Sequence, residues 1–92
     1  MNTQVIDYGH MAIDLDGPEF LRDQVAAILR GRIDSGEYPP RRRIPPEAAL
    51  IEEFGVSRPT VRAALAILEE EGRIITLRGK GRYVRGPSTS DE

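Results

Sequence analysis

Gly55-Val56-Ser57-Arg58-Pro59 constrains the fold of this 92-residue chain more than any other stretch. A glycine after Glu52-Glu53-Phe54 stops one helix, because it enters the left-handed region without a steric penalty. Ser57 then supplies a side-chain acceptor for the free N–H groups of a second helix. Pro59 falls in the first turn of that helix, where its missing N–H costs nothing. Val61, Ala64, Leu65 and Leu68 follow at spacings of three and four, which makes a buried stripe. Arg58, Thr60 and Arg62 lie off the stripe, within the first two turns. Two helices joined by a tight glycine-containing turn, with polar groups at the start of the second, define a helix-turn-helix.

The rest of the chain supplies the supports. Asp16-Gly17-Pro18-Glu19 reads as a helix start, with Asp16 or Gly17 capping and Pro18 in the first position. Leu21, Val25, Ile28, Leu29 and Ile33 continue at helical spacing as far as Gly36, a C-terminal stop. Gly31 is expected to mark a close packing contact. Pro39, Pro40, Pro45 and Pro46 bar helix between the first and second helices, and Arg43-Ile44 is expected as a short strand. The second helix runs from about Pro46 to Phe54, with Ala49, Leu50 and Phe54 inward. The third ends near Glu71-Gly72.

Beyond Gly72 the period changes. Ile74 to Leu77 and Arg82 to Arg85 are β-prone runs around Arg78-Gly79-Lys80-Gly81, a β-hairpin with a basic tip. The fold class is therefore α+β: a small winged helix-turn-helix of three helices plus a C-terminal β-hairpin wing. Residues 16–86 form this domain, residues 1–15 a flexible N-terminal segment, and residues 87–92 a disordered polar tail.

The net charge of −2 conceals a strong asymmetry. Residues 1–40 hold three Arg against seven acids, whereas residues 41–85 hold ten Lys or Arg against six Glu. The cationic excess thus falls on the helix-turn-helix and the hairpin, the distribution expected of a nucleic-acid binder. The absence of cysteine excludes disulfides and thiolate metal sites. No apolar run approaches a membrane span, and the N-terminus lacks the form of a secretory signal, so a cytoplasmic location and no membrane partner are expected. The single histidine, His10, lies in the loose N-terminal segment. No catalytic, metal or cofactor constellation is present, which argues against an enzyme.

The chain resembles the N-terminal DNA-binding domain of the GntR family of bacterial transcription regulators. Gly55-Val56-Ser57-Arg58-Pro59-Thr60-Val61-Arg62 carries most of the likeness, with Ala64-Leu65 and Leu68-Glu69 after it. Ile33 to Tyr38, Arg43-Ile44-Pro45 and Glu47 match upstream, and Glu71-Gly72 and Gly79 to Val84 match downstream, so the likeness spans about Leu21 to Val84. It implies that Ser57, Arg58, Thr60 and Arg62 belong to the recognition helix. Arg58 and Arg62 would read guanine edges or grip phosphates, and Ser57 and Thr60 would bond phosphates. Gly79, Lys80 and Gly81 would form the wing tip in the minor groove, flanked by Arg78 and Arg82, and Arg43 would add a phosphate contact.

Three departures stand out. Pro40-Arg41 replaces the family's Pro-Gly, and an Arg there resists a positive φ. Pro46 replaces the Ser that caps the second helix. Ala48 stands where many members carry a DNA-contacting Arg. Typical members also continue after the wing into an effector-binding or dimerisation domain. This chain ends about eight residues past the wing, either as a piece of a longer protein or as a stand-alone DNA-binding protein.

The bland alternatives are specific. Arg58 and Arg62 could form a solvated helix face, Arg41 to Arg43 a solvated loop, and Arg82 and Arg85 a plain hairpin surface. Tyr83 fits wing packing better than base stacking, and Glu69 to Glu71 read as a solvated helix end. Taken together, the residues point to a sequence-specific double-stranded-DNA-binding transcription regulator, a repressor, binding a palindromic operator as two copies. A small architectural or recombination-directing DNA-binding factor is the second reading, and a winged helix used as a protein-interaction module the third.

Overall fold

The computed structural model describes residues 5–8, 11–14 and 20–86. The order is β1 (Val5–Tyr8), β2 (Met11–Asp14), α1 (Leu21–Ser35), α2 (Glu47–Phe54), α3 (Arg58–Glu70), β3 (Ile74–Leu77) and β4 (Gly81–Val84). The three helices and the β3–β4 hairpin are the expected winged helix-turn-helix. Within the N-terminal segment β1 pairs antiparallel with β2, elements not expected from the sequence. Their sequence signal is weak: two four-residue runs, VIDY and MAID, two positions apart. β2 lies beside α1, and this tertiary neighbour has no counterpart in local sequence.

Helix ends follow the local chemistry closely. α1 begins at Leu21 with Phe20 at the cap position and no side-chain cap, later than the proposed start at Asp16 to Glu19. Those four residues, like the tail from 87 to 92, lie outside the described ones. α1 closes at Gly36 in the left-handed region, where the Gly36 N–H donates to the Ile33 carbonyl and the Tyr38 N–H to that of Arg32. α2 begins after Pro46 without a side-chain cap and ends at left-handed Gly55, whose N–H donates to the Ile51 carbonyl. Ser57 caps α3 by accepting from the Thr60 N–H at 3.3 Å.

The core is a single cluster drawn from every element of residues 20–86. Val25, Ala26, Ile28 and Leu29 of α1 meet Val61, Ala64, Leu65 and Leu68 of α3, and Leu50 and Phe54 of α2 close a second side. Val56, Ile44, Ile74 and Val84 complete it. Ala49 is exposed, one position off the inward face of α2. Gly31 is exposed as well, and a Cβ there would meet nothing within 4 Å, so it marks no close contact.

Arg32 ties α1 to α2 across this core. Its guanidinium donates to Glu53 and to the Tyr38 hydroxyl at 2.7 Å and lies over the Phe54 ring, 5.4 Å from its centroid. At the far end of α3, Glu71 accepts from Arg30 at 2.6 Å and from Arg73 at 3.0 Å, and Arg73 also bridges to Asp34. Glu71 is therefore bridged to α1 and to the residue before β3, while Glu69 and Glu70 stay exposed.

The proline-bounded loop adds a third strand-like segment to the wing. The Arg41 N–H donates to the Val84 carbonyl at 2.8 Å, the Ile44 N–H to Arg82 at 3.0 Å and the Val84 N–H to Arg42 at 2.9 Å, around a bridge between Arg43 and Tyr83. Arg41 turns this loop at φ 67°, the one positive φ of a non-glycine among the described residues. Arginine resists this conformation, and backbone hydrogen bonds to β4 on both sides of the loop hold it there. A left-handed non-glycine costs about 1–2 kcal/mol, of which glycine's extra unfolded-state entropy would return about 0.5–1. Arg41→Gly is accordingly expected to stabilise the fold by about 0.5–1 kcal/mol, read as a higher midpoint in urea. A lower midpoint would show that the packing of the Arg41 side chain against Gly86 outweighs the strain.

Candidate nucleic-acid interface

α3 is fixed in rotation by its buried stripe, and this decides what its first turns display. Arg58 and Arg62, one helical turn apart, share the flank nearest the wing, and their side chains are 50% and 61% exposed. Thr60 turns to the opposite flank, beside Phe20, Leu21 and Arg22 of the α1 entry. The trio expected off the stripe is thus split between two sides of one helix. The Ser57 hydroxyl serves the cap and also donates to the Thr60 hydroxyl at 3.0 Å.

The wing faces α3 across an open cleft lined by Arg43, Glu47, Ala48, Arg58, Lys80 and Arg82, among others. Arg78, Gly79 and Lys80 form the exposed tip between β3 and β4. Gly81 has φ 105°, a conformation that other residues rarely adopt, and the Arg43 side chain lies against it at ordinary contact distance. The Arg43 guanidinium sits 5.7 Å from the centroid of the Tyr83 ring and 3.5 Å from its hydroxyl. Tyr83 is thereby a packing residue of the wing, as expected, and it steers Arg43. Ala48 leaves the cleft floor without a long side chain.

Glu47 is the residue the sequence reading passed over as a functional group. It opens α2, and three arginines from two other elements converge on its carboxylate. Oε1 accepts from Arg58 Nη1 at 2.7 Å and from Arg62 Nε at 3.1 Å. Oε2 accepts from Arg62 Nε at 3.0 Å and lies 3.2 Å from Arg82 Nη1. Arg82 is therefore drawn inward, 27% exposed, and its Nε is buried without a hydrogen-bond partner among the described residues. The only sequence signal was position: an acid in the first turn of a helix that lacks a capping side chain.

The arrangement is cationic on balance, with Arg43, Arg58, Arg62, Lys80 and Arg82 around one carboxylate. Hydrogen bonds from Arg62, then from Arg58, hold the Glu47 carboxyl below its ordinary range. Those from Arg30 and Arg73 do the same for Glu71. Among the described residues no group of acids or histidines could hold a metal ion, and no helix is long and apolar enough to cross a membrane.

The geometry defines a winged helix-turn-helix whose second helix and wing present cations to one cleft. The chain belongs to the gntR family of bacterial regulatory proteins, whose family model matches residues 21–84. It is 36% identical over 72 residues to the histidine utilization repressor of Pseudomonas putida, covering 78% of this chain and 29% of that one. It is 44% identical over 69 residues to the mannosyl-D-glycerate transport/metabolism system repressor MngR of Escherichia coli, covering 75% and 29%. Among solved structures, the DNA-binding domain of AraR in complex with operator ORX1 superposes with a TM-score of 0.69 at 30% identity, covering 84% of this chain and 99% of that one. A GntR family transcriptional regulator from Listeria monocytogenes gives 0.74 at 26% identity, covering 80% and 65%. The chain spans about a quarter to a third of the length of the curated relatives it matches.

The two lowered carboxyls make a pH prediction. A group whose pKa is depressed by folding contributes stability above its unfolded value and loses it as pH falls through the folded one. Stability is expected to be flat with respect to Glu47 and Glu71 above about pH 5 and to fall progressively below about pH 4.3. The double variant Glu47→Gln/Glu71→Gln should flatten that acid limb, measured by urea unfolding across the range. An unchanged limb would show that neither pair contributes to folding.

Proposed function

We propose that this chain is the sequence-specific double-stranded-DNA-binding domain of a transcription regulator, and that the regulator acts as a repressor. The observation that carries this reading is the placement of exposed cations from α3 and from the wing on the two sides of one cleft. Arg58 and Arg62 at the start of α3 are suited to guanine edges and phosphates in the major groove. The small tip, Arg78-Gly79-Lys80-Gly81, is suited to the narrower minor groove. Ser57 and Arg43 border these groups, Thr60 offers its hydroxyl from the other flank of α3, and Arg82 supports them from β4. The repressor names of the relatives and the operator complexes of the AraR domain favour the same reading. The proposal includes a palindromic operator bound by two copies, supported by the symmetry with which helix-turn-helix proteins meet two half-sites, and a cytoplasmic location.

Selection from a random duplex pool tests the proposal. An enriched two-fold motif is expected, with affinity that falls steeply as salt rises. Arg58→Ala with Arg62→Ala is expected to weaken binding to the selected duplex by about 100-fold or more, since each good bidentate base contact is worth about 1–3 kcal/mol. Thermal unfolding of that variant should stay cooperative. No enrichment by the unaltered chain, with the fold intact, would overturn the reading in favour of a protein-interaction module.

A further inference from the structure

We propose that Glu47 is a positioning residue for specificity: it holds Arg58, Arg62 and Arg82 as one array and so sets how far the domain prefers its own site over other DNA. This rests on the DNA-binding reading above. The carboxylate is 15% exposed, whereas the Arg58 and Arg62 side chains it receives are 50% and 61% exposed. The anion therefore lies beneath the cations, between them and the protein body. Arg62 meets it through Nε, which leaves both Nη groups for an external acceptor, the pair that a guanine edge engages. Arg58 meets it through Nη1, and a guanidinium carries five N–H donors in a fixed fork, so others remain.

Two physical effects follow from one carboxylate among three cations. The first is order. Three guanidiniums this close repel one another, and without the anion they would separate into many rotamers. Holding them in place lowers the entropy lost when they meet bases in a fixed pattern. Because Arg58 and Arg62 come from α3 and Arg82 from β4, the same carboxylate also couples the helix to the wing. The second effect is charge. A fixed anion under the reading surface opposes the approach of every duplex equally, and only a site whose bases accept from the arginines offsets that opposition. Glu47 thus improves fit to one sequence while weakening attraction to all: the ordering widens the gap between specific and non-specific binding, and the charge lowers both affinities alike.

The test uses the chain with Glu47→Gln, Glu47→Asp and a distant control, Glu70→Gln, which removes the same charge from the exposed end of α3. Each is titrated with the duplex selected by the unaltered chain and with an unrelated duplex, across a salt series. For Glu47→Gln, affinity for the unrelated duplex is expected to rise by about fivefold, with a salt slope steeper by about one. The ratio of specific to non-specific affinity should fall by about tenfold or more. Glu47→Asp keeps the charge on a shorter arm. It should leave non-specific affinity within about twofold and still lower the ratio. In the free protein, the Arg62 Nε–H resonance should be protected from exchange and lose that protection in Glu47→Gln, a reading that needs no DNA.

Equal changes on both duplexes, matching those of Glu70→Gln, would overturn the proposal, as would an Arg62 Nε–H that exchanges freely in the unaltered chain. Failure of the unaltered chain to prefer any duplex would instead overturn the DNA-binding reading itself, and this proposal with it. Cooperative thermal unfolding of each variant separates lost selectivity from lost fold.

Discussion

The burial of one apolar stripe on α3 is the constraint on which the other features depend. Val61, Ala64, Leu65 and Leu68 are each essentially inaccessible. Burying a leucine- or valine-sized side chain is worth about 1.5–3 kcal/mol, so rotating α3 about its axis would forfeit several of these contributions at once. The helix therefore has a single azimuth. Arg58 and Arg62 face the wing and Thr60 faces the α1 entry as a consequence of packing on the opposite side, not of any attraction between the polar groups themselves.

The loop between α1 and α2 completes this arrangement at the cost of local strain. Pro39, Pro40, Pro45 and Pro46 remove helix as an option, and hydrogen bonds from Arg41, Ile44 and Val84 lace the loop to β4. The wing is thereby a three-segment sheet rather than an isolated two-stranded hairpin, which alone would be marginal in water. Ile44, Ile74 and Val84 anchor it in the same core as the helices. The tip can then be small, basic and exposed without carrying any of the packing.

Electrostatics divides the surface into two kinds of ion pair. Arg32 with Glu53, and Arg30 and Arg73 with Glu71, join elements at a distance from the cleft and act in the fold. The Glu47 cluster lies in the cleft, and its cations outnumber its anion. Ion pairs of the first kind exhaust their charges on each other. The second kind leaves positive charge over, and that surplus is what an anionic partner meets.

Much of this was legible along the chain, because the signals are local. Gly36 and Gly55 stop helices through their own backbone freedom, Ser57 caps through its own hydroxyl, and the α3 stripe is a matter of period. The hairpin was written in the change of period after Gly72. Less local features were misread. Arg41 takes a left-handed conformation imposed by β4, Ala49 is turned outward by the azimuth of α2, and β1 and β2 pair where two short runs without alternation gave little signal. The sequence by itself determined the three helices, the hairpin after Gly72, the glycine stops and the Ser57 cap, and the cationic character of the face, since each depends on residues within a turn or two of one another. Only the tertiary structure decided that Glu47 would gather Arg58, Arg62 and Arg82. Those residues are separated by up to 35 positions, and helix packing, which no local pattern encodes, brings one carboxylate within reach of all three.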